Sequence, residues 1–364
     1  MRNKKEILKL TSDLVSFKTV HPDEKEIVKC IEYIKNFFRN SDLYIKEFEF
    51  NGTKSVVISN HKSTKSDIIF CGHIDVVPAE ESLFKVKEQG DILHGRGVSD
   101  MKGQVAVMMN VMKSLYPERT EKKVTLFLTS DEERGGFNGT GKLLSDQNYT
   151  SKVAIVPDGG FDYTLVVESK GVLQIKVTAK GTSCHSSEVW NGKNAILKLF
   201  DVFNQIVSKF PMPQNNLDWK TSFNLAKIEG GDYINKVPGE ASMYIDVRHT
   251  YLDTMEKILG FIKEQDGSLD IQVLARGNAF HVNEDNVYVK KYVEVCESLT
   301  GKKIETVNYQ AASDGRFFTE KNIPCVIMNP VGGNIHCEDE FVSLSSLCML
   351  EKIYKKYIKE RILS

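Results

Sequence analysis

Acidic and histidine residues gather where apolar, strand-like runs stop. His73 and Asp75 follow Ile68-Ile69-Phe70-Cys71, and Asp131, Glu132 and Glu133 follow the apolar run 124–128. Asp158 follows Val153-Ala154-Ile155-Val156, and His336 comes after Cys325-Val326-Ile327-Met328. A further stretch, Gly95-Arg96-Gly97-Val98-Ser99-Asp100-Met101-Lys102-Gly103, sets three glycines around one aspartate just ahead of an apolar helical run. Ligand sites of open parallel sheets form in the crevice outside the carboxyl ends of the strands, so charge collected there points to metal chemistry. Each feature alone has a plainer reading: Asp100 favours a helix start in any protein, and adjacent glutamates are commonly a solvated turn. Together, His73, Asp100, Glu133, Asp158 and His336 supply nitrogen and oxygen donors without thiolate. That set suits two zinc ions, with cobalt or manganese as substitutes. Within the Glu132-Glu133 pair, one carboxylate can ligate while the other takes the proton of the attacking water, its basicity tuned by burial and charge. Asp75 is spaced to receive the second N–H of the His73 imidazole.

Those residues need a scaffold, and the rest of the chain describes one. Its 364 residues exceed one ordinary core and suggest two domains. With 41% hydrophobic and 27% charged residues it reads as a soluble globular protein. A formal net charge of -1 favours neither nucleic acid nor an anionic membrane surface. Seven cysteines without a CxxC pair argue against disulfides or a thiolate-held zinc and suit a reducing cytoplasm. The N-terminal pattern of Ile7, Leu10 and Leu14 is that of an amphipathic helix rather than a signal peptide. No apolar run approaches the roughly 18 residues of a membrane helix. The C-terminal run of Lys352, Lys355, Lys356, Lys359 and Arg361, interleaved with Ile353, Tyr354, Tyr357 and Ile358, predicts a helix with a solvated face.

Periodicity predicts helices over 4–18, 24–39 and 103–115 and strands over 44–50, 54–59, 68–71, 124–129 and 153–157. Strands separated by helices imply βαβ units and a mostly parallel sheet. From about residue 171 the pattern changes: strand 171–178, helix 194–209, strands 221–229 and 239–248, helix 252–265 and strand 269–275. That order is the ferredoxin-like β-α-β-β-α-β unit. Helix 286–299 and strand 323–328 then resume the first pattern. The expected architecture is an α/β catalytic domain (1–170 and 285–364) with a mostly parallel sheet, interrupted by an inserted ferredoxin-like α+β lid (171–284).

Gly72-His73-Ile74-Asp75-Val76-Val77-Pro78, the Gly95-Arg96-Gly97 to Gly103 stretch and the Glu132-Glu133 pair resemble the zinc exopeptidase and amidohydrolase family of acetylornithine deacetylase, succinyl-diaminopimelate desuccinylase, aminoacylase and glutamate carboxypeptidase. The likeness covers essentially the whole chain. It implies that His73, Asp100 and Asp158 hold one zinc and Asp100, Glu133 and His336 the other, with Glu132 as general base and Asp75 orienting His73. Gly181-Thr182-Ser183-Cys184-His185-Ser186-Ser187 is similar to a family loop whose histidine enters the partner subunit's site and stabilises the oxyanion, which implies a homodimer through the inserted domain. Asn235 and Arg248 lie in segments similar to the family's substrate-contacting ones. Arg316, in Ala312-Ser313-Asp314-Gly315-Arg316-Phe317, resembles a carboxylate binder. One position departs: deacylases and carboxypeptidases of the family carry glutamate where this chain has Asp158, and aspartate belongs to the dipeptidase and tripeptidase branches.

The reading is a dinuclear zinc amidohydrolase acting on an N-acyl amino acid or short peptide with a free carboxylate. A dipeptidase or carboxypeptidase with the same machinery is the alternative. A catalytically silent binding relative is the remote one, against which the intact ligand set and Glu132 argue.

Overall fold

The computed structural model describes residues 2–118, 121–215 and 217–360. Contacts divide the chain into two compact units. The larger comprises Met1–Val167, Val282–Tyr309 and Ser313–Ser364, and the smaller comprises Glu168–His281 with Gln310–Ala312.

In the larger unit six strands form one sheet in the order Tyr44–Phe50, Thr53–Ser59, Val124–Thr129, Lys65–His73, Thr150–Ile155 and Cys325–Val326. The first two strands are an antiparallel hairpin, and the second meets Val124–Thr129 antiparallel. The remaining neighbours run parallel, with Phe70 opposite Leu126 on one side and Ile155 on the other. Every residue of Val124–Thr129 is buried, as strands covered on both faces must be, which is why the run is continuously apolar. Helix Lys102–Glu118 packs inside the unit, with Val105, Val107, Met108, Met109 and Met112 fully buried.

The C-terminal helix Leu344–Lys359 buries Ile353, Tyr354, Tyr357 and Ile358 and leaves Lys352 and Lys359 exposed; Arg361 lies outside the described residues. Short strands absent from the periodicity complete this unit. Lys87–Gln89, Ile92–His94, Phe341–Ser343 and Gly332–Gly333 form a small antiparallel sheet. Its pairing of Phe341 with His94 places the 334–340 connection beside the loop that follows His94.

The smaller unit carries a four-stranded antiparallel sheet in the order Ser222–Gly230, Glu240–His249, Gly171–Lys180, Asp270–Gly277. On Gly171–Lys180 Leu173, Ile175 and Val177 are buried while Gln174, Lys176 and Thr178 are half-buried, the period-2 pattern of a strand with one wet face. The buried face meets Leu199, Val202 and Ile206 of helix Ala195–Lys209 and Ile258 and Ile262 of helix Met255–Gln265.

Candidate metal centre

Four ends of the larger unit's elements deliver the chemistry. Strand Lys65–His73 ends in the buried His73, with Asp75 two residues on. The turn Glu132–Arg134 follows Val124–Thr129, Asp158 follows Thr150–Ile155, and Asp100 lies two residues ahead of the start of helix Lys102–Glu118. His336 comes from the hairpin connection 334–340, which is tied across by a hydrogen bond from the Asn334 side chain to Asp339 at 2.8 Å. His336 has φ +64°, an uncommon backbone region for a residue with a side chain, and such positions recur where a side chain must be aimed.

The expected ligands converge. His73 Nε2 lies 3.0 Å from Asp100 Oδ1, and His336 Nε2 lies 3.2 Å from both Asp100 Oδ2 and Glu133 Oε2. Ligand atoms of His73, Asp100 and Glu133 lie within 4.8 Å of one another, as do those of His73, Glu132 and Asp158. One group thus includes Glu132, the expected base, beside Asp158.

The residues fit a pair of cations on hydrogen-bond logic. His73 Nδ1 is 2.9 Å from the backbone oxygen of Asp75, an atom that can only accept, so Nδ1 carries the proton. Nε2 then turns a lone pair towards the Asp100 carboxylate. Two acceptors at that distance require a positive charge between them, a proton or a metal. Contacts with Asp100 and Asp75 overcome burial and hold the metal-free His73 well above its ordinary pKa. Hydrogen bonds to Asp100 and Glu133 push His336 up to about 10. Burial pushes Asp100 up, but hydrogen bonds from His336 and His73 outweigh it and hold the carboxyl below the usual range. Burial, then Asp158, raise Glu132 well above its usual value; burial, then Asp100, do the same for Asp158.

Two expectations change in detail. The group that receives the His73 N–H is the Asp75 backbone carbonyl, with the carboxylate at 3.5 Å. The Asp75 carboxylate instead accepts the backbone N–H groups of Glu132 at 3.3 Å and Glu133 at 3.1 Å. Arg316 is not presented as a carboxylate receptor. It is 6% exposed, its Nη2 donates to the Gly135 carbonyl at 2.6 Å, and its guanidinium lies over the Phe317 and Phe137 rings. Its guanidinium is thus engaged by the protein itself, behind the glutamate turn.

His185, Asn235 and Arg248 belong to the smaller unit. His185 is exposed and bridges to Lys236, and Ser186 N–H donates to the Asn235 carbonyl at 3.0 Å, which stitches the two loops together. Arg248 is held by its strand neighbour Asp246 through two hydrogen bonds, at 2.9 and 3.3 Å.

Sequence reasoning missed Glu340. This buried carboxylate accepts Arg96 Nη1 at 2.7 Å and the backbone N–H groups of Gly97, Ser99 and Asp100 at 2.9 to 3.1 Å. Arg96 Nη2 also donates to the His336 carbonyl at 3.0 Å. The pair clamps the Asp100 loop to the His336 loop, and removing one partner of such a buried pair costs about 3–5 kcal/mol. Gly97 is required there: its φ is +82° and an added Cβ would meet Val76 at 2.8 Å. In sequence Glu340 is one acid of the exposed-looking Glu338-Asp339-Glu340 run, and no local signal separates it. Tyr309 was also missed. Its ring packs against Gly159, and burial followed by the Asp158 charge pushes its phenol up to about 12.

Against known proteins, residues 69–360 match the model of peptidase family M20/M25/M40. A succinyl-diaminopimelate desuccinylase of Wigglesworthia glossinidia brevipalpis is 24% identical, with 98% of this chain and 99% of that protein covered. The fold is similar to that of an aminopeptidase from Bacillus cereus, with a TM-score of 0.74, 18% identity and 98% of each chain covered. A dinuclear metal-binding peptidase from Bacillus subtilis gives a TM-score of 0.66 at 14% identity, with 98% of each chain covered.

Proposed function

Since the chain belongs to peptidase family M20/M25/M40 and is a metal-dependent hydrolase of amide bonds, we propose that it is a dinuclear zinc deacylase of N-acyl amino acids. The observation that carries this reading is Asp100, whose two carboxylate oxygens each face a histidine Nε2, His73 on one side and His336 on the other. A carboxylate shared in that way is the bridge that two cations need. His73, Asp100 and Asp158 would hold one zinc and Asp100, Glu133 and His336 the other; cobalt or manganese, with the same donor preference, could substitute. When bound, the pair supplies Lewis acidity to the scissile carbonyl and lowers the pKa of water.

The protein's own groups do the rest. Glu132 takes the proton of the attacking water and returns it to the leaving amine. Its backbone is held by Asp75, so the carboxylate is aimed before substrate arrives. His185 Nδ1 accepts the backbone N–H of Ser187 at 3.2 Å, which leaves the neutral ring's proton on Nε2 as a donor. Such a donor suits the developing oxyanion. In this reading His185 serves the partner subunit of a homodimer formed through the smaller unit, an inserted lid. Asn235 and Arg248 contact the substrate there.

Asp158 favours a second reading, a dipeptidase, because a side chain one methylene shorter than glutamate resets one cation and the pocket beside it. The zinc-loaded protein should be assayed on N-acetyl amino acids, N-succinyl amino acids and unblocked dipeptides. The deacylase reading expects higher kcat/KM on the acylated compounds. Cleavage of free-amino dipeptides alone would decide for the second.

A further inference from the structure

Arg316 is buried beside a reaction centre, where its hydrogen bond goes to a backbone carbonyl while its charge also acts on the nearby Asp314 carboxyl. Its Nη2 donates to the Gly135 oxygen at 2.6 Å, and its Nε is buried without a hydrogen-bond partner. The guanidinium carbon lies 4.7 Å from the Phe317 ring centre and 5.4 Å from that of Phe137, and the two rings meet edge to face at 5.5 Å. Gly135 closes the turn that carries the glutamates, and its own N–H donates to the Glu132 carbonyl at 2.7 Å. The next residue, Gly136, is seated so close to Asp314 that an added Cβ would lie 1.9 Å from its Oδ1.

We propose that Arg316 is a positioning residue for the general base: it fixes Gly135, and through it the turn that aims Glu132. This rests on the reading of Glu132 given above. The turn is gripped at both ends by charge of the right sign. The Asp75 anion holds the N–H groups of Glu132 and Glu133, and the Arg316 cation holds the carbonyl where the turn ends. A guanidinium suits this place because its delocalised charge lies near both rings while its edge donates, which a compact ammonium cannot do together. Phe317 is buried beside the guanidinium, and Phe137 flanks it from the more exposed side.

The test compares Arg316→Ala and Arg316→Lys with the parent protein on an N-acyl amino acid and in the metal-free state. For Arg316→Ala, kcat should fall about 100-fold, the usual consequence of a misplacement near 1 Å, while KM stays unchanged. Millimolar guanidinium should restore part of the lost kcat. Backbone amides of 132–136 should exchange faster with deuterium in the metal-free variant, and unaltered exchange there would overturn the proposal. Arg316→Lys, which keeps the charge and the fold, should retain both metals and lose about tenfold in kcat. A rise in KM at constant kcat in either variant would also overturn it, since that marks a substrate contact. Glu132→Gln run alongside separates the two ideas: full activity in that variant would discard the base assignment itself, whatever Arg316 does.

Discussion

Adjacent glutamates carry different burdens because their neighbours differ. Glu133 is met by His336 at 3.2 Å, whereas Glu132 shares its space with Asp158 and His73. Glu132→Gln should keep two metals per chain and lose about 100- to 10,000-fold in kcat, the range for removing a general base. Glu133→Gln should instead bind one metal weakly. Metal content by mass spectrometry beside single-turnover kinetics checks both, and the reverse pattern would exchange the two roles. Glu132 and Glu133 stood out in sequence because they end an apolar strand. Glu340 did not, since nothing in an acid run tells which member folds inward to meet backbone N–H groups.

At the scale of elements, the C-terminal helix depends on a loop carboxylate far away in sequence. Asp91 accepts the Ser343 and Ser345 hydroxyls at 2.6 Å each and the Ser345 N–H at 3.2 Å, and it pairs with Lys4 at 3.0 Å. Burial opposes its charge, but the hydrogen bonds from Ser343, Ser345 and Lys4 outweigh it and depress the carboxyl to about 2. A depressed folded-state pKa means the contribution is present above the unfolded value near 4 and fades as pH falls through about 2. Asp91→Ala should therefore cost about 1 kcal/mol at neutral pH, as loss of a helix cap does. Denaturant unfolding of both proteins should show that difference shrinking below about pH 4. A difference that stays constant down to pH 2 would assign the effect to packing. The long elements were visible as periodicity, whereas strands such as Phe341–Ser343 and Gly332–Gly333 are too short to show a period.

For the whole molecule, assembly is the open test of the His185 assignment. The smaller unit exposes Trp190 at 77% and Ile234 at 104% next to the stitched His185 and Asn235 loops, large apolar surface of the kind that meets a partner. If His185 completes a partner's site, inactive His185→Ala and inactive Glu132→Gln chains should regain activity when mixed, because a hybrid dimer contains one intact site. Subunit exchange must be verified by native mass spectrometry. Exchange without recovered activity would place the histidine's action within its own chain or outside catalysis.

Sequence alone determined the family chemistry and most of the frame. Residue type and position after apolar runs singled out His73, Glu132, Glu133, Asp158 and His336, and glycines ahead of a helical run singled out Asp100, since both are local patterns. The period change near residue 171 likewise marked the β-α-β-β-α-β segment now seen in Gly171–Gly277. Only the tertiary structure decided which polar atoms share a partner. It gave the Asp75 carboxylate to the glutamate turn, turned Arg316 inward to a backbone carbonyl, and brought Glu340 to the N–H groups around Asp100. A buried charge goes wherever the folded chain leaves an unmet donor or acceptor. That demand exists only after residues distant in sequence, such as Gly135 and Arg316, have been brought together.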